Sequence, residues 1–347
     1  MMVSRRRLLA AMAGVGVAGG LAGVRGAWAD ISSSRSRSQT TRRWRVAIVY
    51  GRSEAGKFDK GFNQLAFSGL EAARERHDLI VREFEPVGPG EEASMILQAA
   101  ADADLVITVG YGLHFAAQEA AGLSRDARFS VIDAVVDHPR FQSLVFREHE
   151  GAFLAGLLAA QTSRSGVLGF VGAVATPVIE RFRAGHRAGA RYALPSVAVK
   201  DAWLGTTSEA YHTPFKGLLA AERLIAQGAD VVFAAAGRSG FGVYQAAADQ
   251  GVLAIGVDAN QNFLHPGTML TSMVKRVDIA VALTINALVD ETWSPGVRSL
   301  GLKEDGVALA LDGHNRSLIS DDRWEQVLKA REDLIAGRLT SPEKGEG

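Results

Sequence analysis

Short β-branched apolar runs alternate with amphipathic segments over most of this chain, and that alternation leaves one architecture open to it. Val46 to Tyr50 precedes a helical pattern over Phe62 to Arg76, Leu79 to Phe84 precedes Glu91 to Ala101, and Leu105 to Val109 precedes Leu113 to Leu123. The runs Phe129 to Asp133 and Ser143 to Phe146 follow. Parallel strands need a crossover between them, so a βαβ series predicts a parallel sheet covered by helices on both faces. After Glu150 the series begins again. A helix to about Thr162 is followed by the strands Val167 to Val171, Ala198 to Leu204, Asp230 to Ala235 and Val252 to Val257. The helices Pro177 to Tyr192, Pro214 to Gln227 and Gly240 to Gln250 separate them. The fold class expected is therefore α/β, with two Rossmann-like lobes in tandem. A strand over Thr268 to Val274, a helix over Val277 to Val289, a strand over Gly306 to Leu311 and a helix over Asp321 to Ala336 complete the lobes. The lobes expected are 44–148 with 274–300, and 149–273 with 301–340.

In open α/β sheets the ligand crevice lies at the carboxyl ends of the strands, so two facing lobes bring their loops to one cleft. The clearest such loop is Gly237-Arg238-Ser239-Gly240-Phe241-Gly242, between an apolar strand and a helix. Its glycines allow close backbone approach, and the free N–H groups of a helix start point toward whatever sits there. Other loops at strand ends carry Ser53, the run Asp59-Lys60-Gly61-Phe62-Asn63-Gln64, Asp133, the run Tyr211-His212-Thr213-Pro214, Asp258 and Lys275.

The N-terminus reads as an export signal over residues 1–29. Ser4-Arg5-Arg6-Arg7-Leu8-Leu9 carries paired arginines, a mildly apolar run continues through Val24, and Ala27-Trp28-Ala29 offers small residues for cleavage. The pattern is that of a twin-arginine signal, which implies a periplasmic protein with no stable membrane insertion. The chain has no cysteine, which excludes disulfide staples and a lipid anchor on an N-terminal cysteine. Residues 30–43, rich in Ser and Arg, lack apolar periodicity and read as a flexible leader. Formal net charge is zero and 47% of residues are hydrophobic, so no long-range field favours a nucleic-acid partner.

In order along the chain, several stretches resemble the basic membrane protein (Bmp), or PnrA-like, family of solute-binding proteins. They are Asp59-Lys60-Gly61-Phe62-Asn63-Gln64, Gly169-Phe170-Val171-Gly172 with Pro177-Val178-Ile179, Gly228-Ala229-Asp230-Val231-Val232-Phe233, Gly256-Val257-Asp258 and Leu270-Thr271-Ser272-Met273-Val274-Lys275. The resemblance runs from about Val46 to Arg338. It implies a type I periplasmic-binding-protein fold that delivers a purine nucleoside or related small molecule to an ABC transporter permease, with no cofactor, metal or catalytic residue. It also implies site roles. Phe62 and Tyr211 match the two aromatic side chains that stack on the base. Asn63 and Asp133 match positions that bond the base edge or sugar, and Asp258 matches the carboxylate that takes the ribose hydroxyls. Lys275 matches a lysine near the sugar, with Asp258 as a possible partner, and Gly237 lets the chain pass beside the ligand. Two departures stand out. Ser53 replaces a common aspartate, and the loop before Thr213 is longer than usual, which leaves Trp203 as an alternative to Tyr211; Asp59 belongs to the same first loop.

Two other classes compete. A nucleoside-processing enzyme on the same cleft is one, and a ligand-sensing domain is the other. Tyr50-Gly51-Arg52-Ser53-Glu54-Ala55-Gly56 is not the Gly-x-Gly-x-x-Gly of dinucleotide enzymes, and no Gly-x-Ser-x-Gly or His-Glu-x-x-His run occurs. Glu148-His149-Glu150 is compact, but adjacent helical residues point in different directions, so it reads as a surface charge cluster and not as a metal site. Lys275 reads as the start of a helix, where a cation opposes the dipole.

Overall fold

The computed structural model describes residues 43–88, 90–124 and 126–344. The expected signal and nearly all of the leader lie outside them. From Trp44 the chain forms β1 (Trp44–Val49), α1 (Phe62–Arg74), β2 (Leu79–Phe84), α2 (Glu91–Ala100), β3 (Leu105–Val109), α3 (His114–Leu123), β4 (Arg128–Ile132) and β5 (Phe141–Phe146). Then come α4 (Glu148–Thr162), β6 (Val167–Gly172), α5 (Pro177–Ala193), β7 (Ala198–Trp203), α6 (Pro214–Ala226), β8 (Val231–Ala235), α7 (Gly240–Gln250), β9 (Leu253–Asp258) and β10 (Met269–Lys275). Last are α8 (Val277–Val289), β11 (Gly296–Leu300), β12 (Val307–Leu309) and α9 (Asp321–Ile335).

The strands make two six-stranded sheets, in the orders β11-β5-β4-β3-β1-β2 and β12-β10-β9-β8-β6-β7. Every pairing is parallel except that of β12 with β10. The expected α/β class is what the chain adopts. Within each sheet the first five strands follow the same order, 2-1-3-4-5 and then 7-6-8-9-10, so β3 corresponds to β8, β4 to β9 and β5 to β10. The chain passes between sheets after β5, after β10 and after β11. Those three connections join the sheets where all loops of the strand carboxyl ends converge. β11 was not expected. Four of its five residues are exposed, so this edge strand lacks the apolar pattern that marks the others.

Burial on both faces explains why the central strands read as continuous apolar runs: all of β3 and of β8 is buried. The helix α4 is buried from Glu148 through Ala160 except for Glu150, and it carries no polar stripe. It packs closely on α5 because Gly156, Gly185 and Gly189 stand at the crossing. A Cβ at Gly185 would strike the His149 backbone, and one at Gly189 the Phe153 backbone. The start of α5 is set by Thr176, whose hydroxyl accepts the Ile179 N–H at 3.3 Å, with Pro177 in the first turn. The described residues from Arg43 onward cluster as one compact unit. No described helix is long and apolar enough to cross a membrane.

Candidate functional site

Loops from both sheets enclose a cavity of about 650 Å³. Its walls include Ser53, Asp59, Phe62, Asn63, Tyr111 and Asp133 from the first sheet's side, and Tyr211, His212, Gly237, Arg238, Asp258 and Lys275 from the second. Corresponding strands supply corresponding residues. Gly110 follows β3 with φ 120°, and Gly237 lies just beyond β8 with φ 54°. Asp133 follows β4 with φ 76°, and Asp258 ends β9 with φ 65°. Asp tolerates this left-handed region better than other side chains because it bonds locally, and such conformations concentrate at binding sites. A Cβ at Gly237 would sit 3.3 Å from the Tyr211 ring, so this glycine lets the chain pass close to that aromatic wall.

Phe62 is the first residue of α1, and Tyr211 ends a 3-10 turn, Ser208–Tyr211, after β7. Both rings are partly exposed to the cavity and partly packed on the main core. Burial pushes the Tyr211 hydroxyl up to about 12. Trp203 is not brought to this cavity. It ends the edge strand β7, 38% exposed, with its ring over Gly172 and edge-on to Phe170.

Lys275 is the last residue of β10 and not the start of a helix, and it is only 1% exposed. Its ammonium lies 2.6 and 2.7 Å from the two Asp133 oxygens and 2.9 Å from Glu148 Oε1. The expected pairing with Asp258 is replaced by these two. Rings of Phe62, Phe146 and Phe182 lie 5.1, 4.9 and 5.9 Å from the same nitrogen, which adds cation–π attraction in a desolvated place. Burial alone would lower the pKa of Lys275, but Asp133 and Glu148 more than offset it, so the lysine is held charged well above its ordinary value. For Glu148, too, burial opposes ionisation, and Lys275 with Arg181 outweighs it, holding the carboxyl below the usual range. Arg181 Nε completes the ladder at 2.6 Å from Glu148 Oε2. The Glu-His-Glu run is therefore no surface cluster. Glu148 is fully buried and His149 nearly so. Lys275 belongs to the second sheet and Asp133 follows a strand of the first, so the ladder ties the two sheets at the floor of the cavity.

Both Asp133 oxygens thus lie against the Lys275 ammonium, while the carboxylate of Asp258, its counterpart, has no hydrogen-bond partner among the described residues. Burial pushes the Asp258 carboxyl up to about 7; Lys275 pulls it back, and the negative charges of Asp133, Asp59 and Glu148 push with burial. Two other expected ligand residues are occupied in building the first loop. The Asn63 amide donates to Gly51 O at 2.8 Å and Gly56 O at 3.2 Å and accepts the Gly51 N–H at 3.1 Å. Asp59 accepts the N–H groups of Gly61, Asn63 and Gln64 at 2.9, 3.1 and 3.2 Å, which ties down the start of α1. Ser53 is buried against the cavity, its hydroxyl accepting from Ala55 N–H at 3.2 Å. Sequence reasoning missed Arg52, Glu148, Arg181, Phe182 and Arg238. Arg238 carried a signal, as a charge inside the glycine loop, and Glu148 carried one that read as a surface charge cluster.

At the rim, Arg52 reaches from the first sheet's loops to Ser208 Oγ at 3.4 Å and Glu209 Oε2 at 3.2 Å, and its Nε lies 3.8 Å from Glu92. Gln261 Nε2 donates to Lys60 O at 3.2 Å. Both contacts bridge the cavity from one sheet's loops to the other's. Two facing walls, a lysine-fixed floor and a carboxylate without a protein partner can hold a small polar molecule.

Comparison with known proteins agrees with this geometry. Residues 53–344 match the Bmp family model, described as ABC transporter substrate-binding protein PnrA-like. The chain is 31% identical over 309 residues to basic membrane protein D of Borreliella burgdorferi, covering 84% of this chain and 89% of that protein. It is 32% identical over 290 residues to an uncharacterized lipoprotein of Pyrococcus horikoshii, covering 78% and 69%. A solute-binding protein of an ABC transporter system from Aeropyrum pernix superposes with a TM-score of 0.76 at 26% identity, over 86% of this chain and 94% of that one.

Proposed function

The chain belongs to the Bmp family of PnrA-like ABC transporter substrate-binding proteins, and from that premise we propose that its cavity binds a purine nucleoside or a closely related small molecule. The observation that carries this is the joint presence, in one cavity of about 650 Å³, of an aromatic ring on each side and a carboxylate with no protein partner. A purine has polarizable faces and little charge, so Phe62 and Tyr211 would each contribute about 1–3 kcal/mol by stacking. Vicinal ribose hydroxyls would donate to the two oxygens of Asp258, which would otherwise have no protein partner. Asp133, Lys275, Asn63 and Asp59 would position the floor and the first loop in place of contacting the base directly. Gly237 would set the spacing of the Tyr211 wall.

The two sheets would act as lobes, 44–148 with 274–300 and 149–273 with 301–340, hinged at the three connections and closing over the ligand. The liganded protein would present itself to an ABC permease and carry out no reaction. Export by the twin-arginine route would place it in the periplasm. Relatives named as lipoproteins differ here, because this chain has no cysteine to carry a lipid.

The test is thermal unfolding against purine nucleosides, free bases, sugars and amino acids, since a ligand of the folded form raises Tm. The expected result is a rise with adenosine, guanosine or inosine that Asp258→Ala abolishes. A rise confined to sugars or amino acids would discard the nucleoside reading.

A further inference from the structure

Resting on the nucleoside reading, we propose that the ligand carries an anionic substituent, a phosphate or carboxylate on its sugar, and that Arg238 is the residue that selects it. Arg238 lies in the 3-10 turn Gly237–Ser239 after β8 and lines the cavity. Its guanidinium makes no hydrogen bond or ion pair with any described residue. The other described cations of the cavity wall are committed: Lys275 to Asp133 and Glu148, and Arg52 to Glu92 and Glu209. A guanidinium left unpaired in a half-enclosed site has five donors and a planar fork that matches a phosphate or carboxylate in two parallel hydrogen bonds.

The surroundings of Arg238 favour an anion over a neutral group. Burial first, and then the positive charges of Arg52 and Arg238 against the pull of Glu209 and Glu54, keep His212 below its ordinary value and favour its neutral form, so the unpaired charge on this flank of the cavity is that of Arg238. The Asp59 carboxylate feels the positive charge of Arg238, but it is engaged by the three N–H groups at the start of α1 and forms no ion pair with the arginine. Asp258 instead feels Lys275, Asp133, Asp59 and Glu148. The cavity therefore offers both a carboxylate without a hydrogen-bond partner and a guanidinium without an ion pair. A nucleoside with a vicinal diol and a charged group at the 5′ position has that same pattern of donors and charge.

Calorimetric titration of the protein with a purine nucleoside, its 5′-monophosphate and its 5′-carboxylate tests this. At least one anionic derivative should bind about tenfold or more tightly than the nucleoside, and the stronger of the two identifies the group. Arg238→Ala should weaken the favoured anionic derivative about tenfold more than it weakens the nucleoside, and Arg238→Lys, which keeps the charge without the fork, should restore part of that difference. If the nucleoside binds more tightly than both derivatives, the proposal falls and the nucleoside reading stands. If Arg238→Ala weakens all three alike, the arginine serves lobe closure and the proposal falls. If none of the three binds, both readings fall.

Discussion

Replacing Asp258 with Asn should make the empty protein more stable at neutral pH and remove its affinity for a ribose-bearing ligand. Burial is the main reason that the Asp258 carboxyl sits at about 7 instead of 3.8. The interval between these values is about 3 on the pH scale, and at about 1.4 kcal/mol per pH unit the buried carboxylate costs up to about 4 kcal/mol above neutrality. The folded protein holds a proton between 3.8 and about 7 that the unfolded chain has released, so stability falls as pH rises through that window and is level above it. The Asn variant lacks this dependence. Asn also tolerates the φ of 65° at this position, so the backbone is not the variable. Urea unfolding of both forms should show the variant's advantage growing by roughly 2–3 kcal/mol between about pH 5 and about pH 8. Binding reverses the preference. Two hydroxyl donors favour the ionised acid, so wild-type affinity should drop up to about tenfold per pH unit below 7, with proton release on binding near neutrality. Equal pH slopes in the two proteins, or ligand affinity unchanged in the variant, would refute the reasoning.

Three further outcomes follow from the same structure. His186 is 1% exposed among Phe170 and Phe233, and burial holds its pKa at about 4; its contribution is therefore complete above 6.5 and lost as pH falls toward 4, about 3 kcal/mol in all, and His186→Leu should flatten the acid limb of a Tm-versus-pH curve. Lys275→Met leaves Asp133 and Glu148 buried without their shared cation and should cost about 3–5 kcal/mol in chemical denaturation, with Glu148→Gln added to it recovering part. Gly189→Ala places a methyl against the Phe153 backbone and should cost about 1–3 kcal/mol; a variant as stable as wild type would show that α4 and α5 can separate freely.

The fold was legible because buried parallel strands and crossover helices impose their periods on the sequence, and only β11, an exposed edge strand, left no such trace. The site was legible in part. Phe62, Tyr211, Gly237, Asp258 and Lys275 come to one cavity from the loops and strand ends where they were expected, although Lys275 closes a strand instead of opening a helix. Roles were harder to see, because they depend on partners far along the chain. Glu148 reads locally as one of three polar neighbours, and only Lys275 and Arg181, brought in by β10 and α5, make it a buried structural charge. Asn63 and Asp59 are polar residues in the first loop whose hydrogen bonds are consumed by that loop, which no spacing rule reveals. Trp203 differs from Tyr211 by its place on the edge strand, and the sequence alone does not separate the two.

Asp133 and Asp258 occupy matching sockets in a repeated unit, yet a single lysine decides which of them is plugged. The residue at the end of β5 that corresponds to Lys275 is Phe146, so the first sheet has a ring where the second has a cation. The handedness of the cleft, which acid faces the guest and which is sealed, is thus written by one side chain on a nearly symmetric frame. Exchanging those two residues would put the cation at the end of β5 and the ring at the end of β10, while every strand stays where it is.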